Sequence, residues 1–497
     1  MKSLKIKKNK YKKKFIFKSN LIILFWIYLS IILKDSNISP IYKSIYNNNI
    51  QVDFFREENK NCDKYDPIFL MSQKLKKKPI IICKGKKAKH ICYQSSKYNY
   101  YNDISRIKNG IICKSENFVL NPLKSNQTNY IYRGPVDKIT RGAPILLNGF
   151  FNMDCELINK NFRRFNNIYN NYFSSWNYEF EIRDENIKEL SPGKTVLFIS
   201  RNQDSPNLFH GLSEIINVLS IMYLFNLKPE KIQIVFLESM KIQNDPFYEL
   251  YENIISRGGK PIYIRNLKQK YFISSAFHIP INWDSPLFVN LKIPNGFPNC
   301  KYSTQTYNIF NNLINKYIKL HDFEDSFISD NNIYYYPKSV IKNFKLNNNF
   351  NKSITIQWRK VWPKGREFQQ RILGNGPELA DKLSSILPKN YLIRLVDTAS
   401  LSMKEQISIM RKTDYLIGVH GAGLSLSIFM PAHSILQEIL PKKNIKVLIL
   451  MSSLSGHKIY SDIIKSKRKI LNNNEVFFFD IPEFAKTTLK HIQENYF

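Results

Sequence analysis

The chain has 497 residues, of which 74 are Lys or Arg and 40 are Asp or Glu, so its formal net charge at pH 7 is +34. A hydrophobic content of 43% supports one or two buried cores. It excludes a wholly disordered, collagen-like or polytopic membrane protein. The lysines are spread along the whole chain among asparagine runs, which favours a bias in composition over a nucleic-acid-binding face. We therefore expect no nucleic-acid partner, and two or three domains.

The N-terminus has the pattern of a membrane anchor. Residues 1–14 hold eight lysines and no acidic residue, and an apolar run of 13 residues follows at 21–33. A spanning helix needs about 20 residues, which the run reaches if it extends back to Phe15 with Lys18 snorkelling. Because no pair of small residues follows for a signal peptidase, we favour an uncleaved anchor over a cleaved signal peptide. The positive-inside rule predicts a cytosolic tail (1–14), an anchor (15–34) and a lumenal remainder.

The cysteines and the glycosylation triplets suit a lumenal location. The cysteine number is even, and no Cys-x-x-Cys pair suggests zinc binding or thiol exchange, so we predict disulfides. Their connectivity is not readable, because six cysteines allow fifteen pairings. Asn37, Asn126 and Asn351 each begin an Asn-x-Ser/Thr triplet, which is a weak signal in an Asn-rich chain. All six cysteines follow the predicted anchor: Cys62, Cys83, Cys92, Cys113, Cys155 and Cys300.

Two blocks of alternating strands and helices follow a polar stem at 35–60. The segment 62–155 is punctuated by cysteines and short in clear helices. The first block then has strands at 195–200, 232–237 and 261–264 and a helix at 210–225. After a basic, Asn-rich linker, the second block has strands at 353–358, 391–396, 414–419 and 434–440 and helices at 376–386, 402–411 and 424–429.

Such alternation predicts parallel sheets, and hence an α/β protein with two facing Rossmann-like domains. We place the N-terminal, acceptor-side domain at 61–338, the linker at 339–352 and the C-terminal domain at 353–497.

A Gly-rich turn is the sharpest local pattern. The apolar strand ending at Val419 runs into His420, Gly421, Ala422, Gly423 and Leu424. Free backbone N–H groups and the positive end of a helix meet there, outside the carboxyl edge of a parallel sheet, which suits a phosphate group. Tight packing with a structural histidine is an equally good account of the bare pattern. Neither the Walker pattern nor the dinucleotide fingerprint is present.

Charged residues near strand ends surround this turn in the predicted topology. Arg359 closes one strand, and Arg366 and Arg371 precede the next helix, where guanidinium groups can reach a bound diphosphate. Glu438 ends an otherwise apolar strand, where it can accept hydrogen bonds from sugar hydroxyls. Alternatively, the arginines form a solvated basic face and Glu438 is simply exposed to solvent, with no role in binding.

Residues 354–441 resemble the C-terminal half of glycosyltransferase family 61, which includes plant xylosyltransferases, the EGF-domain O-GlcNAc transferase and the protein O-mannose GlcNAc transferase. Upstream, Asn207, His210 and Glu214 are similar to the family's Asn-x-x-His followed by an acid, which is usually Asp. The insertion at 361–368 departs from the family and leaves open whether Arg366 replaces a family arginine; Gly374 is a second departure. The matching residues, in order, are Arg359, residues 371–375 with Glu378 and Leu379, Gln406, residues 420–424, residues 429–431 and Glu438.

The resemblance implies an inverting, metal-independent enzyme of the two-domain GT-B kind with a UDP-sugar donor. No Asp-x-Asp triplet occurs in the chain, so the usual carboxylate pair for a divalent metal is missing, and we expect neither a metal nor another cofactor. Positive charge on the protein would then stabilise the leaving group. The implied donor-binding residues are Arg359, Arg371, Asn375, His420, Gly421, Ala422, Gly423, Leu424 and Glu438.

Inversion also needs a base for the acceptor hydroxyl. His210 and Glu214 lie four residues apart on one face of a predicted helix, so either can serve. A capping or packing role for the pair is equally compatible with the sequence.

The sequence thus predicts a glycosyltransferase of the Golgi or endoplasmic reticulum membrane, single-pass and type II. It would move xylose or N-acetylglucosamine to a glycan or glycoprotein acceptor. A non-catalytic, lumenal glycan-binding protein descended from such an enzyme is the alternative.

Overall fold

The structure is a computed structural model. It describes residues 60–496 except 64, 70–71, 73–78, 95–110, 127–144, 160–172, 181–185, 201–206, 238–244, 258, 280–299, 319–332, 346–349, 359–370, 441–448 and 472–473. The predicted tail, anchor and stem lie outside these residues, apart from Lys60. Among the helices described, none is long and apolar enough to cross a membrane.

The first unit is built mainly of strands. Its helices are α1 (Lys60–Asp63), α2 (Leu208–Leu224) and α3 (Tyr248–Leu250), which continues as a π-helix (Tyr251–Ile255), with 3₁₀ helices at Pro122–Lys124, Phe173–Ser175, Pro229–Lys231 and Ile264–Asn266. Its strands are β1 (Ile80–Lys84), β2 (Lys89–Gln94), β3 (Ile111–Leu120), β4 (Ser125–Asn126), β5 (Ile145–Leu146), β6 (Phe151–Asn152), β7 (Glu156–Leu157), β8 (Trp176–Asn177), β9 (Thr195–Ile199), β10 (Ile232–Phe236), β11 (Ile262–Tyr263) and β12 (Tyr271–Ile279).

Ten of these strands form one mixed sheet. Its order is β11-β10-β9-β12-β3-β2-β1-β7, with β6 beside β3 and β8 beside β6. The predicted strands β9, β10 and β11 are parallel, and β12 joins them in parallel. From β12 onward the pairing is antiparallel, through β3, β2 and β1. The first unit is therefore mixed α/β. Its β9–β12 part has the parallel pairing that the sequence predicts, and β6 and β8 form a further parallel pair.

The second unit follows the predicted alternation. Its strands are β13 (Tyr334–Tyr335), β14 (Lys352–Trp358), β15 (Arg371–Leu373), β16 (Tyr391–Asp397), β17 (Tyr415–Val419), β18 (Ile435–Ile439), β19 (Lys458–Asp462), β20 (Ser466–Leu471) and β21 (Asn474–Phe479). Its helices are α4 (Gln305–Tyr317), α5 (Lys338–Lys345), α6 (Gly376–Ile386), α7 (Met403–Arg411), α8 (Ile449–Leu454) and α9 (Ile481–Tyr496), with 3₁₀ helices at Thr398–Ser400 and Ala422–Phe429.

Six strands of this unit form a sheet in the order β13-β16-β14-β17-β18-β19, parallel except for β13. A smaller sheet, β15-β21-β20, lies beside it. Helix α7 begins where the sequence places it, because Ser402 and Glu405 form a capping box. The strands β17 and β18 are buried along their whole length. The apolar run of β17 predicts this burial, whereas β18 also buries Gln437 and Glu438.

The predicted linker at 339–352 contains most of helix α5. Val340 and Asn343 lie one turn apart and are buried, and Asn343 Nδ2 donates to the Lys389 carbonyl at 2.8 Å. Lysines and asparagines fill the rest of this segment, which conceals its apolar stripe. Just upstream, β13 already pairs with β16 of the second sheet. Structure belonging to the second unit therefore begins before the predicted boundary at 338.

Helix α4 connects the two units. It packs against α2 and the π-helix of the first unit and against the 3₁₀ helix Ala422–Phe429 of the second. Asn311 Nδ2 donates to the Ile428 carbonyl at 3.1 Å, and Arg411 donates to both oxygens of Asn311. The helix is thus hydrogen-bonded to the second unit and packed against both.

All six cysteines form disulfides, as predicted. The pairs are Cys62–Cys300, Cys83–Cys155 and Cys92–Cys113. His90 lies beside the last pair, but Cys92 and Cys113 offer no thiolates to a metal because their sulfurs are bonded to each other. Three disulfides are typical of a protein of the secretory pathway.

Buried histidines should make the fold sensitive to acid. Burial lowers the pKa of His90 to about 3, that of His457 to about 4 and that of His278 as well. The unfolded chain binds these protons near pH 6.5 and the folded chain does not. Below pH 6.5 each histidine therefore lowers the free energy of unfolding by about 1.4 kcal/mol per pH unit, until the folded pKa is reached.

Urea unfolding between pH 7.5 and 5 measures this slope. The pKa of Asp63, raised by burial to about 6, gives the opposite trend below that pH, so the comparison must be between variants. His457→Asn should reduce the slope by one histidine's share, whereas His433→Asn, at an exposed position, should leave it unchanged. Equal slopes in all three proteins would contradict the expectation for His457.

Candidate active site

The predicted turn lies at the carboxyl edge of the six-stranded sheet. His420 follows β17 directly, and its backbone N–H donates to the Ile439 carbonyl at the end of β18 at 2.9 Å. The strands β14, β17, β18 and β19 are mutually parallel neighbours, so their carboxyl ends meet at this edge. Ligands of α/β proteins bind at such edges.

His420 and Glu438 form a close pair. His420 Nδ1 lies 2.5 Å from Glu438 Oε1, and Ser461 Oγ donates to Glu438 Oε2 at 3.3 Å. The Glu438 side chain has no exposed surface, and that of His420 keeps 7%. Glu438 sits opposite Gly418 on β17 and opposite Ser461 on β19, so three adjacent strands hold this group of side chains.

Arg371 reaches the same place from the smaller sheet. It begins β15, and its guanidinium donates from Nη1 to the His420 carbonyl at 3.0 Å. The hydrogen bond holds the positive charge beside the turn that follows β17. Arg371, His420 and Glu438, which are up to 67 positions apart in the sequence, thus form one contiguous group.

The residues after His420 form a 3₁₀ helix, Ala422–Phe429, which starts after the extended Gly421. Leu424 N–H donates to the Gly421 carbonyl at 3.0 Å, and the Leu424 side chain is fully buried. A Cβ on Gly418 would lie within 3.0 Å of Leu424, so Gly418 makes room for it. The structure therefore places Leu424 in the core below the turn, while Gly421 and Ala422 are only partly buried.

The Gln357 side chain packs against Gly423 and leaves no room for a larger residue there. A Cβ at Gly423 would lie within 3.0 Å of the Gln357 amide, whose Nε2 donates to Thr398 Oγ1 at 2.9 Å. Gln357 is buried at the end of β14, directly below the turn. No local pattern marks a glutamine in an apolar strand as a support for a turn 66 positions later.

We expect Gly423→Ala to lower the free energy of unfolding by about 1–3 kcal/mol, because the methyl group must displace the Gln357 amide. The matched double variant Gly423→Ala/Gln357→Ala tests the cause. If this contact carries the cost, the two changes are less damaging together than the sum of the single variants, as urea unfolding can measure. Strict additivity would show that the strain lies elsewhere.

Asn375 forms hydrogen bonds within the protein. Its side chain exchanges two hydrogen bonds with the backbone of Phe479, donating from Nδ2 at 2.8 Å and accepting at Oδ1 at 3.1 Å. It therefore joins the start of α6 to β21. Arg359 and Arg366 lie outside the described residues.

The predicted base residues are on α2. Asn207 caps this helix by accepting from the N–H groups of Phe209 and His210, which explains the asparagine of the upstream motif. His210 is partly buried, with its ring 5.5 Å from that of Phe209, and Glu214 is 1% exposed. Helix α2 packs against the 3₁₀ helix that follows the His420 turn. The structure thus brings together the elements that carry the two predicted sets of residues.

Comparison with known proteins gives a family match and a structural match. The model of the family described as Glycosyltransferase 61 matches residues 289–436, a region that contains Arg371 and His420. No curated protein matches the chain. The crystal structure of the glycosyl transferase family 9 from Veillonella parvula DSM 2008 is similar over 62% of this chain and 98% of that chain, with 9% identity and a TM-score of 0.26. A TM-score this low does not establish a common fold. The family match shows that residues 289–436 are similar to glycosyltransferase family 61.

Proposed function

We propose that the chain is an inverting, metal-independent glycosyltransferase that moves a sugar from a UDP-sugar to a hydroxyl of a glycan or protein. One observation carries this proposal. Arg371, His420 and Glu438 converge at the carboxyl edge of a parallel sheet, where a Gly-rich turn begins a helix. The proposal includes a GT-B arrangement, with the donor held by the second unit and the acceptor by the first.

The donor diphosphate would bind at the turn. Backbone N–H groups at the start of the 3₁₀ helix attract negative charge, and the Arg371 guanidinium lies beside them. Protein groups of this kind can stabilise the charge that develops on a leaving nucleoside diphosphate without a metal. The predicted Arg359 would add to this charge from the end of β14.

Inversion requires a single displacement. The acceptor oxygen bonds to the anomeric carbon as the bond from that carbon to the phosphate oxygen breaks, and the electron pair leaves with the nucleoside diphosphate. The acceptor proton passes to a base, for which His210 and Glu214 on α2 are the candidates. Because α2 packs against the 3₁₀ helix of the donor turn, its placement supports this assignment.

Xylose and N-acetylglucosamine are the donor sugars that we propose, and the acceptor is a glycan or glycoprotein. Three disulfides support action in the secretory pathway, so we propose the Golgi or endoplasmic reticulum, with residues 15–34 as a type II anchor. A non-catalytic glycan-binding protein remains the second candidate. The grouping of Arg371, His420 and Glu438 at one sheet edge favours the enzyme.

Thermal shift of the full-length chain in detergent tests the donor site. UDP-xylose, UDP-GlcNAc, UDP-galactose, UDP-glucose, GDP-fucose and UDP are compared, each with EDTA and with Mn²⁺. A ligand that binds only the folded protein raises the melting temperature. We expect one UDP-sugar to stabilise the protein in EDTA, and Arg371→Ala to abolish the effect. Lys467→Ala, which removes an exposed positive charge from the same small sheet, is the matched control and should respond like the wild type.

A metal requirement would contradict metal-independent binding. The absence of any nucleotide effect in a folded sample would contradict the donor site and favour the non-catalytic candidate.

A further inference from the structure

Glu438 is enclosed by protein groups. Its side chain is fully buried, and both of its oxygens meet protein groups, Oε1 at His420 Nδ1 and Oε2 at Ser461 Oγ. A buried carboxylate is costly unless it is paired and hydrogen-bonded. Glu438 therefore contacts the protein and not the donor sugar, and any part that it has in transfer must pass through a neighbour.

That neighbour is His420. The two ring nitrogens lie on different edges of the imidazole, so Nδ1–H donation to Glu438 turns Nε2 away from the carboxylate. The His420 side chain keeps 7% of its surface exposed and Glu438 keeps none, so the pair meets the site through the histidine. The Arg371 guanidinium donates a hydrogen bond to the backbone carbonyl of His420. Hydrogen bonds with Glu438 and Arg371 thus restrain both the ring and the main chain of His420.

We propose that Glu438 and Ser461 are positioning residues that act through His420, holding its ring so that Nε2–H donates a hydrogen bond to the departing diphosphate. This inference rests on the proposed function. It names a protein group that would stabilise the charge of the leaving diphosphate without a metal ion. Ser461 has no place in the family pattern of the sequence. It takes part because it lies on β19 opposite Glu438 of the neighbouring strand.

The reaction remains balanced with this group. The new bond joins the acceptor oxygen to the anomeric carbon, and the broken bond leaves its electron pair on the phosphate oxygen. The acceptor proton goes to the base on α2. His420, with a proton on each nitrogen, shares Nε2–H with the phosphate and Nδ1–H with Glu438. His420 takes up the second of these protons when the diphosphate binds, and the resulting positive charge, paired with Glu438, stabilises the leaving group as the bond breaks.

Calorimetry of UDP binding tests this role without measuring transfer. The full-length chain is titrated with UDP at pH 8, where the terminal phosphate, which ionises near pH 6, is already deprotonated. Titrations in two buffers with different ionisation enthalpies give the number of protons taken up on binding. We expect the wild type to take up a proton, because binding favours the doubly protonated His420 ring. His420→Ala should abolish this uptake.

The positioning variants carry the decisive comparison. Glu438→Gln should weaken UDP binding about 10–100-fold and abolish proton uptake, although residue 438 does not touch UDP. Ser461→Ala should weaken binding by less and reduce the uptake. Arg371→Ala should weaken binding while keeping the uptake, and Glu230→Gln, which removes an exposed carboxylate of the first unit, should match the wild type.

The outcomes separate this inference from the proposed function. No UDP binding by folded wild type would overturn the donor site itself. UDP binding without proton uptake, or a Glu438→Gln variant that binds and takes up protons like the wild type, would overturn the positioning role alone. If Glu438→Gln does not fold, as judged by its melting temperature, the Ser461→Ala measurement decides, and wild-type uptake in that variant would overturn the role of Ser461.

Discussion

Arg371→Ala should lower the rate of sugar transfer about 10²–10³-fold in a protein that keeps its fold, because it removes the guanidinium beside the proposed diphosphate turn. The loss is expected in kcat/KM, since the charge that Arg371 neutralises grows as the leaving group departs. The measurement is the transfer of labelled sugar from the UDP-sugar that stabilises the wild type, in EDTA. The melting temperature of the unliganded variant checks the fold.

Arg371→Lys is the matched variant. Lysine keeps the positive charge but lacks the planar fork, which can donate to the His420 carbonyl and to a diphosphate at the same time. We expect an activity between those of the wild type and the alanine variant. Lys467→Ala should transfer at the wild-type rate. An Arg371→Ala enzyme with normal kcat/KM would show that another residue stabilises the leaving group.

The second unit was predictable because its signals are local. β14, predicted at 353–358, spans 352–358, and α7, predicted at 402–411, spans 403–411 after its Ser402 cap. A strand that is buried on both faces is often a continuous run of apolar residues. A capping box marks the residue at which a helix begins. The same signals predicted β9 and α2 in the first unit.

The antiparallel part of the first sheet was not predictable in the same way. β3 pairs with β12 from Tyr271 to His278, across more than 150 positions of the chain. Nothing in the local sequence of either strand specifies that partner, because pairing depends on distant segments. The disulfide partners are non-local for the same reason, and Cys62 and Cys300 are 238 positions apart.

The candidate site likewise has a part that the sequence predicts and a part that depends on distant segments. His420 and its glycines form a local pattern, so the sequence predicts the turn. Gln357 and Ser461 support it from neighbouring strands and carry no local signal of their own. The burial of Glu438 was equally hidden, because its position at the end of an apolar strand does not reveal whether the side chain meets solvent.

The Cys62–Cys300 disulfide should contribute most among the three to stability, and its position links it to the site. Cys300 Sγ accepts a hydrogen bond from Ser453 in the second unit. Next to the disulfide, buried Asp66 accepts hydrogen bonds from the N–H and hydroxyl of Thr306, at 2.8 and 2.7 Å. These contacts fasten the start of the described chain to α4, the helix that touches both units.

We expect Cys62→Ala/Cys300→Ala to lower the free energy of unfolding by about 4–5 kcal/mol, because the bond closes a loop of 238 positions. Cys92→Ala/Cys113→Ala, which opens a loop of 21 positions, is the matched control and should cost about 3 kcal/mol. Urea unfolding of both variants, followed by tryptophan fluorescence, gives the comparison. Alanine is preferred to serine because all four cysteines are buried.

The link to the site makes a second readout informative. Loosening α4 frees Asn311, whose side chain donates to the Ile428 carbonyl of the 3₁₀ helix after the proposed donor turn. The Cys62→Ala/Cys300→Ala variant should therefore bind UDP more weakly than the wild type under conditions where both are folded, whereas Cys92→Ala/Cys113→Ala should not. A larger loss of stability in the Cys92→Ala/Cys113→Ala variant, or equal UDP affinity in both, would show that the disulfide at Cys62 does not support the donor site.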